Sequence, residues 1–231
     1  MQTYHPQYLT RSLFPVDPDN PFAGPHQNQQ VITGGVDSEQ ARAVMILIHG
    51  RGASAQSMLM FTNEFDIDDI HYRAIQAKGH TWYPRSFMAP KEMNQPGIKS
   101  GLQAIYDQIN DLNESGIQTQ KIVLLGFSQG ACLTTEFAAR HPQRYGGIIG
   151  LSGGLIGDQV DPQNYKGSLE QTRVFLGCSD RDPHIPQERV DLTDEVFQNL
   201  GADVTKNIYV GMGHTVNQDE INHVNQILAS L

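Results

Sequence analysis

The sequence predicts a protein of the α/β class, with an open and mainly parallel sheet that helices cover on both faces. One reason is size, because 231 residues, 39% of them apolar, can bury the core of one large domain. A second is a pair of continuous aliphatic runs, "AVMILI" and "KIVLLGF", which are typical of strands buried on both faces. A third is the alternation of such runs with segments of helical periodicity, which is the pattern of a layered α/β sheet.

The beginning of the chain differs from the rest in composition. Five of the 12 prolines fall within the first 25 residues, which predicts an extended arm without helix. We expect residues 1–40 to hold this arm and a first strand, "QQVITGG", and residues 41–231 to form a single α/β domain.

The elements of the first half follow from their apolar spacing. The run "AVMILIHG" predicts a buried strand, "SAQSMLMFTNEF" a helix, and "HYRAIQA" and "HTWYP" two short strands. Pro96 suits the first turn of the next helix, whose apolar stripe is formed by Ile98, Leu102, Ile105, Ile109 and Leu112.

The second half continues the alternation. The runs "KIVLLGF", "YGGIIGLSG", "TRVFLGCSD" and "DVTKNIYVG" predict strands. Between them, "QGACLTTEFAARH" predicts a helix that stops before Pro142, and a second helix ends in "EVFQNLGA" with Gly201 as its cap. A closing helix carries a stripe of Ile221, Val224, Ile227 and Leu231. Ligands of such sheets bind at the carboxyl ends of the strands.

Charge and composition exclude several classes of protein. With 16 basic and 25 acidic residues the net charge is −9, which argues against a nucleic acid or an anionic membrane surface as partner. No apolar run is long enough to span a bilayer, and the start lacks the plan of a signal peptide, so we expect a cytoplasmic protein without membrane insertion. The sequence leaves a monomer and a homodimer both open.

The two cysteines carry no sign of metal or redox chemistry. Cys132 and Cys178 lack the C-x-x-C spacing of a zinc site and are too few for a disulfide framework, so we expect small buried residues. With no metal cluster and no nucleotide-binding glycine pattern, we expect no cofactor.

Two stretches fit the pattern G-x-S-x-G, and their letters alone do not say which serine is reactive. A nucleophile elbow needs a strand, a sharp turn that carries the serine, and a helix that begins at once. Around Ser128, "KIVLLGFSQGACL" supplies all three, and small residues leave room for the strand and helix backbones to approach. Ser152 follows a strand, but glycines and a proline come after it, so we expect a non-catalytic serine in a loop that borders the site.

A serine nucleophile needs a base, and the base needs an acid that orients it. In chains with this elbow the order is serine, acid, histidine, which leaves His184, His214 and His223 as candidates. His214 lies in "GMGHTV" directly after a predicted strand and is favoured as base. Chain order does not separate Asp180 from Asp182 as the acid, but the proline after Asp182 holds it in a rigid turn and favours it.

An oxyanion hole needs two preorganised backbone N–H groups, one of them from the residue after the nucleophile. Gln129 would supply that group. The glycine-containing turn "LIHGRGAS" follows an earlier strand and would aim the backbone N–H of Arg51 at the same point. Elbow, acid loop, histidine loop and turn, each after its own strand, are more specific together than any of them alone.

At these residues the chain resembles the phospholipase/carboxylesterase family of serine α/β-hydrolases, which includes the acyl-protein thioesterases. The similar blocks run from about residue 41 to the C-terminus and comprise "LIHGRGAS", "HTWYP", "GFSQGACL", "LSGGL", "GCSDRDPHIP" and "GMGHTV". The resemblance implies an α/β-hydrolase fold without a large cap domain, Ser128 as nucleophile, Asp182 as acid, His214 as base, and the amides of Arg51 and Gln129 as oxyanion hole. The "HGRGA" form is more similar to bacterial small-ester hydrolases than to the eukaryotic thioesterases.

These residues predict an ester hydrolase that acts on a small-molecule substrate through an acyl-enzyme. A thioesterase or lysophospholipase remains an alternative, because the same machinery cleaves both bonds, and so does a non-catalytic binding protein on the same scaffold. For the substrate pocket we predict Met58, Trp82, Arg85 and Ser152. The stretch Met58, Leu59, Met60, Phe61 and Trp82 would wall an acyl pocket or pack in the core, and Arg51 with Arg85 would bind an acidic group or stay solvated.

Overall fold

The computed structural model describes residues 24–231. Residues 1–23, which hold four of the five prolines of the predicted arm, lie outside the described residues. The division of the chain at residue 40 stays a prediction.

Seven strands of the described chain form one sheet. They are β1 (Val31–Gly35), β2 (Ala43–Ile48), β3 (Ile70–Ile75), β4 (Ile122–Phe127), β5 (Gly147–Leu151), β6 (Arg173–Ser179) and β7 (Asp203–Tyr209). Their order across the sheet is β1-β3-β2-β4-β5-β6-β7. Only the pair β1 and β3 is antiparallel, whereas the other five pairs are parallel. The predicted mainly parallel sheet is confirmed.

Helices cover both faces of this sheet. They are α1 (Ala55–Phe61), α2 (Gly97–Glu114), α3 (Gln129–Arg140), α4 (Gln187–Asn199) and α5 (Gln218–Ala229). One apolar core lies between the sheet and α2, α3 and α4, and a second lies between the sheet and α1 and α5. The predicted helices are therefore confirmed as elements, but Leu231 was wrongly included in the stripe of the closing helix, because it lies beyond the end of α5 and is exposed.

Strand β2 shows why a continuous aliphatic run forms this sheet. Successive side chains of a strand point to opposite faces, so both faces are apolar when no polar residue interrupts the run. In β2, Val44, Ile46 and Ile48 belong to the first core, and Met45 and Leu47 belong to the second. All six residues of the strand are buried.

The segment "HTWYP" is not a strand, and that prediction was wrong. His80 ends a short 3₁₀ turn, and Thr81 to Pro84 are irregular. The backbone of Trp82 bonds to side chains instead of a neighbouring strand, because its N–H donates to Gln129 Oε1 and its carbonyl accepts from His26. Aromatic content alone therefore gave a false strand signal.

The connections between elements add no further domain within residues 24–231. The segments before α2 and between β5 and β6 hold only short 3₁₀ turns, Lys78–His80, Lys91–Asn94 and Pro162–Asn164. Within this range, no additional domain covers the carboxyl edge of the sheet.

Candidate active site

The loops that carry the predicted site residues meet at one edge of the sheet. Strands β2, β4, β6 and β7 run parallel, so their carboxyl ends lie side by side. The turn after β2 holds Arg51, the turn after β4 holds Ser128, and the loops after β6 and β7 hold Asp182 and His214. The edge is the one where ligands of open parallel sheets bind.

Ser128 occupies a strained turn between β4 and α3. Its backbone dihedrals are φ 55° and ψ −119°, a conformation that is costly for a residue with a side chain. The strand and helix approach so closely that a Cβ on Gly126 would lie 2.3 Å from the Gly130 carbonyl oxygen, and a Cβ on Gly130 would lie 2.0 Å from the Ile48 carbonyl oxygen. The predicted close approach of the backbones, for which small residues leave room, is confirmed by this geometry.

The side chains of Ser128, His214 and Asp182 form a chain of hydrogen bonds. His214 Nε2 lies 2.8 Å from Ser128 Oγ, and His214 Nδ1 lies 2.6 Å from Asp182 Oδ2. The Asp182 carboxylate is fully buried, and its Oδ1 accepts from the backbone N–H groups of His184 and Ile185. These bonds fix the carboxylate, and the carboxylate favours the tautomer in which Nδ1 donates to it and Nε2 can accept a hydrogen bond from the Ser128 hydroxyl.

The other candidates for the acid and the base make different contacts. Among the described residues, His214 forms its hydrogen bond with Asp182 and not with Asp180, whose Oδ1 accepts from the Gly211 N–H in the loop that carries His214. The His223 ring stacks on Phe175, with 4.4 Å between ring centroids, and contacts Asn207. His184 stands edge-on to the His214 ring at 4.9 Å between centroids. Of the residues weighed from the sequence, Asp182 and His214 are the two that reach Ser128 as a connected chain.

Ser152 shares one backbone feature with Ser128 but not its surroundings. Its φ is 52°, also in the left-handed region, and its N–H donates to the Gly177 carbonyl oxygen at 2.7 Å. No helix begins after it, and the residue is fully buried. Ser152 is also not among the residues that line the cavity beside Ser128, which corrects its prediction as a pocket residue.

The predicted oxyanion donors are backbone groups at the turn after β2 and at the start of α3. Within residues 24–231, the N–H groups of Arg51 and Gln129 donate no hydrogen bond to another residue. His49, which is fully buried, contacts the Gly50 carbonyl oxygen through Nδ1 at 2.7 Å, and its Nε2 accepts from the Ala77 N–H. Because C=O and N–H of one trans peptide point in opposite directions, the bond to the Gly50 carbonyl also fixes the direction of the Arg51 N–H.

A cavity of about 440 Å³ opens beside Ser128 and His214. Its remaining wall is formed by Arg51, Tyr83, Pro84, Arg85, Ser86, Phe87, Gln129, Cys132, His184 and Ile185. The prediction of Arg85 as a pocket residue agrees with this wall. A volume of this size is typical of small-molecule sites, and the wall combines aromatic surface with cationic groups.

Met58 and Trp82 were predicted as pocket residues and are not in this wall. Met58 packs in the core between the sheet and α1, on the face opposite α3. Trp82 is 1% exposed, and its Nε1 donates to the His49 carbonyl oxygen at 2.8 Å. The alternative of core packing holds for both, because apolar content does not reveal which face of a sheet a residue contacts.

The aromatic part of the wall was missed by sequence reasoning. Phe87 lies in an irregular segment without periodicity, and the Arg189 guanidinium lies 5.6 Å from its ring centroid on the side of α4.

Cys132 belongs to the wall but is 1% exposed, and burial raises the pKa of its thiol to about 12. Burial likewise raises the pKa of the Cys178 thiol to about 12. Both cysteines are small buried residues as expected.

The fold and the arrangement at its carboxyl edge define the α/β-hydrolase class. A family model described as Phospholipase/Carboxylesterase matches residues 27–231. The crystal structure of a phospholipase/carboxylesterase from Dyadobacter fermentans is 38% identical, with a TM-score of 0.84 over 87% of this chain and 97% of that chain. The chain therefore belongs to the phospholipase/carboxylesterase family.

Relatives with more specific names cover less of the sequence. Acyl-protein thioesterase 1 of Gibberella zeae is 34% identical over 137 residues, which are 57% of this chain and 57% of that protein. The match thus spans little more than half the length of this curated relative. The carboxylesterase of Bacillus cereus, at 15% identity and a TM-score of 0.70, shares the fold.

Two further features of the described chain bear on its surroundings. Among residues 24–231, no helix combines the length and apolar character that crossing a membrane requires. Within the same range, no group of three or more His, Cys, Asp or Glu residues is arranged to hold a metal ion.

Proposed function

We propose that the protein is a serine carboxylesterase that hydrolyses short- to medium-chain or small aryl esters. The observation that carries the proposal is the chain of hydrogen bonds from Ser128 Oγ through His214 to Asp182, beside a cavity of about 440 Å³. A hydroxyl within 2.8 Å of an oriented imidazole can lose its proton as it attacks a carbonyl carbon.

In the first half of the reaction, Ser128 Oγ bonds to the ester carbonyl carbon, and its proton passes to His214 Nε2. The carbonyl oxygen becomes an oxyanion, which the N–H groups of Arg51 and Gln129 stabilise. When the oxyanion collapses, the bond to the leaving oxygen breaks, and the imidazolium protonates that oxygen. Asp182 stays ionised throughout and stabilises the imidazolium.

In the second half, water replaces the alcohol. It gives a proton to His214 Nε2 while its oxygen bonds to the acyl carbon. Collapse of the second oxyanion breaks the bond to Ser128 Oγ, which recovers its proton from the imidazolium. An acid is released, and the enzyme returns to its first state.

The size and lining of the cavity support a small acyl or aryl group. Tyr83, Phe87 and Ile185 offer apolar surface near Ser128, and about 440 Å³ accommodates a ligand at the lower end of the range for drug-sized molecules. Because no cap covers the edge in the described residues, we expect substrates to enter without domain opening.

The nucleophile is tested by a pair of serine variants. Ser128→Ala should lower kcat on a short-chain aryl ester by roughly 10⁴-fold or more, because it removes the attacking group. Ser152→Ala is the matched control, a serine of the same five-letter pattern that is buried away from the cavity, and it should keep most of the activity. The reverse ranking of the two variants would refute the assignment.

A thioesterase or lysophospholipase is the second candidate, and a relative supports it. The protein of Gibberella zeae that matches this chain is named acyl-protein thioesterase 1. Oxyesters and thioesters matched in acyl length separate the two, since the carboxylesterase proposal expects a higher kcat/KM for short oxyesters. A kcat/KM that rises with acyl length and favours thioesters would support the second candidate instead.

A further inference from the structure

One carbonyl oxygen joins the side chains of the two proposed oxyanion residues. The Tyr83 carbonyl oxygen accepts from Arg51 Nη2 at 2.9 Å and from Gln129 Nε2 at 2.8 Å. Arg51 lies in the turn after β2, and Gln129 is the first residue of α3. Their side chains therefore come from separate parts of the chain and bond to the same carbonyl group. Both lone pairs of this oxygen are used.

The Gln129 side chain is fixed at both ends of its amide. Its Oε1 accepts from the Trp82 N–H at 2.8 Å while its Nε2 donates to Tyr83, and the residue is 5% exposed. Each atom of the amide thus has its own partner on consecutive residues. A helix that begins at Gln129 is therefore tied by its first side chain to the segment around Trp82.

The Arg51 side chain spans three consecutive carbonyl groups. Its Nη2 donates to the carbonyl oxygens of Tyr83 and Arg85, and its Nη1 donates to that of Pro84 at 3.1 Å. Three of the five N–H groups of the guanidinium are used in this way. These three N–H groups are therefore not directed at a substrate carboxylate.

The turn after β2 is tied to the same segment by its backbone. The Gly52 N–H donates to the His80 carbonyl oxygen at 2.7 Å, and the His80 ring contacts the Ala53 carbonyl oxygen at 2.8 Å. Trp82 Nε1 donates to the His49 carbonyl oxygen. We call residues 80–85 the bridging segment, because the turn after β2 and the start of α3 both bond to it.

We propose that the bridging segment is a template that holds the backbone N–H groups of Arg51 and Gln129 in register, and that the side chains of these two residues are positioning residues. This inference rests on the proposed function. An oxyanion donor contributes a factor of roughly 10² to 10³ to kcat only when it is aimed at the position of the developing charge. A shift of the bridging segment would misalign both donors together.

The experiment uses variants of matched length. Arg51→Met and Gln129→Met remove the polar groups and keep most of the volume, and Arg51→Lys restores a cation that reaches fewer carbonyl groups than the planar fork. Arg144→Met is the control, because Arg144 is an exposed arginine that also donates to a backbone carbonyl oxygen, that of Glu170. For each variant, kcat and KM are measured on one neutral and one anionic aryl ester, together with the rate of inactivation by a fluorophosphonate.

If the bridging segment acts as a template, Arg51→Met and Gln129→Met should lower kcat and leave substrate binding nearly unchanged. Arg51→Met and Gln129→Met should lower kcat roughly 10- to 100-fold on both esters, with KM changed less than about threefold and inactivation slowed in parallel. Arg51→Lys should lie between Arg51→Met and the unmodified chain, and Arg144→Met should match the unmodified chain. Arg51 is exposed, so Arg51→Met decides the matter if Gln129→Met lowers the yield of folded protein.

Two results would overturn the inference. One is a folded Arg51→Met variant whose kcat lies within about twofold of the unmodified chain. The other is a rise of KM confined to the anionic ester, which would assign Arg51 to substrate binding. Failure of the proposed function would look different, because the unmodified chain itself would then lack ester hydrolysis that depends on Ser128.

Discussion

At the scale of single residues, Asp182 is the group whose neighbours restrict it most. Its carboxylate is buried, and both oxygens accept hydrogen bonds, Oδ1 from two backbone N–H groups and Oδ2 from His214. An amide at this position could turn its oxygen toward the N–H groups only by turning its NH₂ toward His214. The ring would then be held in the tautomer that cannot accept the serine proton.

Asp182→Asn should therefore lower kcat roughly 10³- to 10⁴-fold on a short-chain aryl ester while the chain stays folded. Asp180→Asn is the control, because its remaining carbonyl oxygen can still accept from the Gly211 N–H. We expect it to retain activity within about threefold. Steady-state kinetics of both variants would contradict this account if Asp180→Asn showed the larger loss.

The two serines show which features of the site could be predicted from the sequence. The presence of a helix after Ser128 and its absence after Ser152 could be predicted from the residues that follow each serine. The positive φ at Ser152 could not, because serine rarely adopts that conformation and nothing in "GLSGG" requires it of the serine. The pocket wall was also beyond prediction, since Phe87 and Ile185 come from loops without periodicity.

At the scale of elements, the buried strands and the amphipathic helices could be predicted because their side chains repeat. The strand "HTWYP" was predicted wrongly because its backbone groups bond to the side chains of Gln129 and His26, which lie far away in the sequence. The same contacts turned out to be part of the support of the site. Long-range bonds of this kind leave no local pattern.

Two helix ends carry buried titratable groups whose effects on the stability of the fold change with pH in opposite directions. His141 ends α3, its ring nitrogens have no hydrogen-bond partner in the described residues, and burial lowers its pKa from 6.5 to about 4. Glu220 lies in the first turn of α5 against Gly177, and burial raises its pKa from 4.5 to about 7. The fold thus favours the neutral form of both groups.

The sign of each effect follows from proton uptake. Below pH 6.5 the unfolded chain protonates His141 before the folded chain does, so this residue destabilises the fold as pH falls toward 4. Above pH 4.5 the unfolded chain ionises Glu220 first, so the stability that its neutral form contributes is lost as pH rises through about 7.

We expect His141→Phe to gain stability relative to the unmodified chain as pH falls from about 7.5 to about 5, by on the order of 2 kcal/mol. Glu220→Gln should gain by a similar amount in the other direction, as pH rises over the same interval. Urea unfolding at both pH values measures the free energies. Parallel pH dependence of the two variants and the unmodified chain would contradict these burial effects.

At the scale of the whole molecule, the sheet brings together residues that lie far apart in the sequence. Parallel strands place the ends of β2, β4, β6 and β7 at one edge, so Ser128 and His214 meet although 86 positions separate them. The same edge holds the cavity, and in the described residues no domain covers it. The order of the elements could be predicted from the sequence, whereas the shape of the cavity depends on how loops pack.

The measurement that tests the central claim most directly is the site and stoichiometry of labelling by a fluorophosphonate, read by mass spectrometry of the intact chain and its peptides. The account predicts one label for each chain, on Ser128, with loss of ester hydrolysis in proportion to labelling. Labelling should be absent in Ser128→Ala and unchanged in Ser152→Ala. A label on Ser152 would contradict the assignment of the nucleophile, and the absence of any label on a folded chain would favour a binding protein on a hydrolase scaffold.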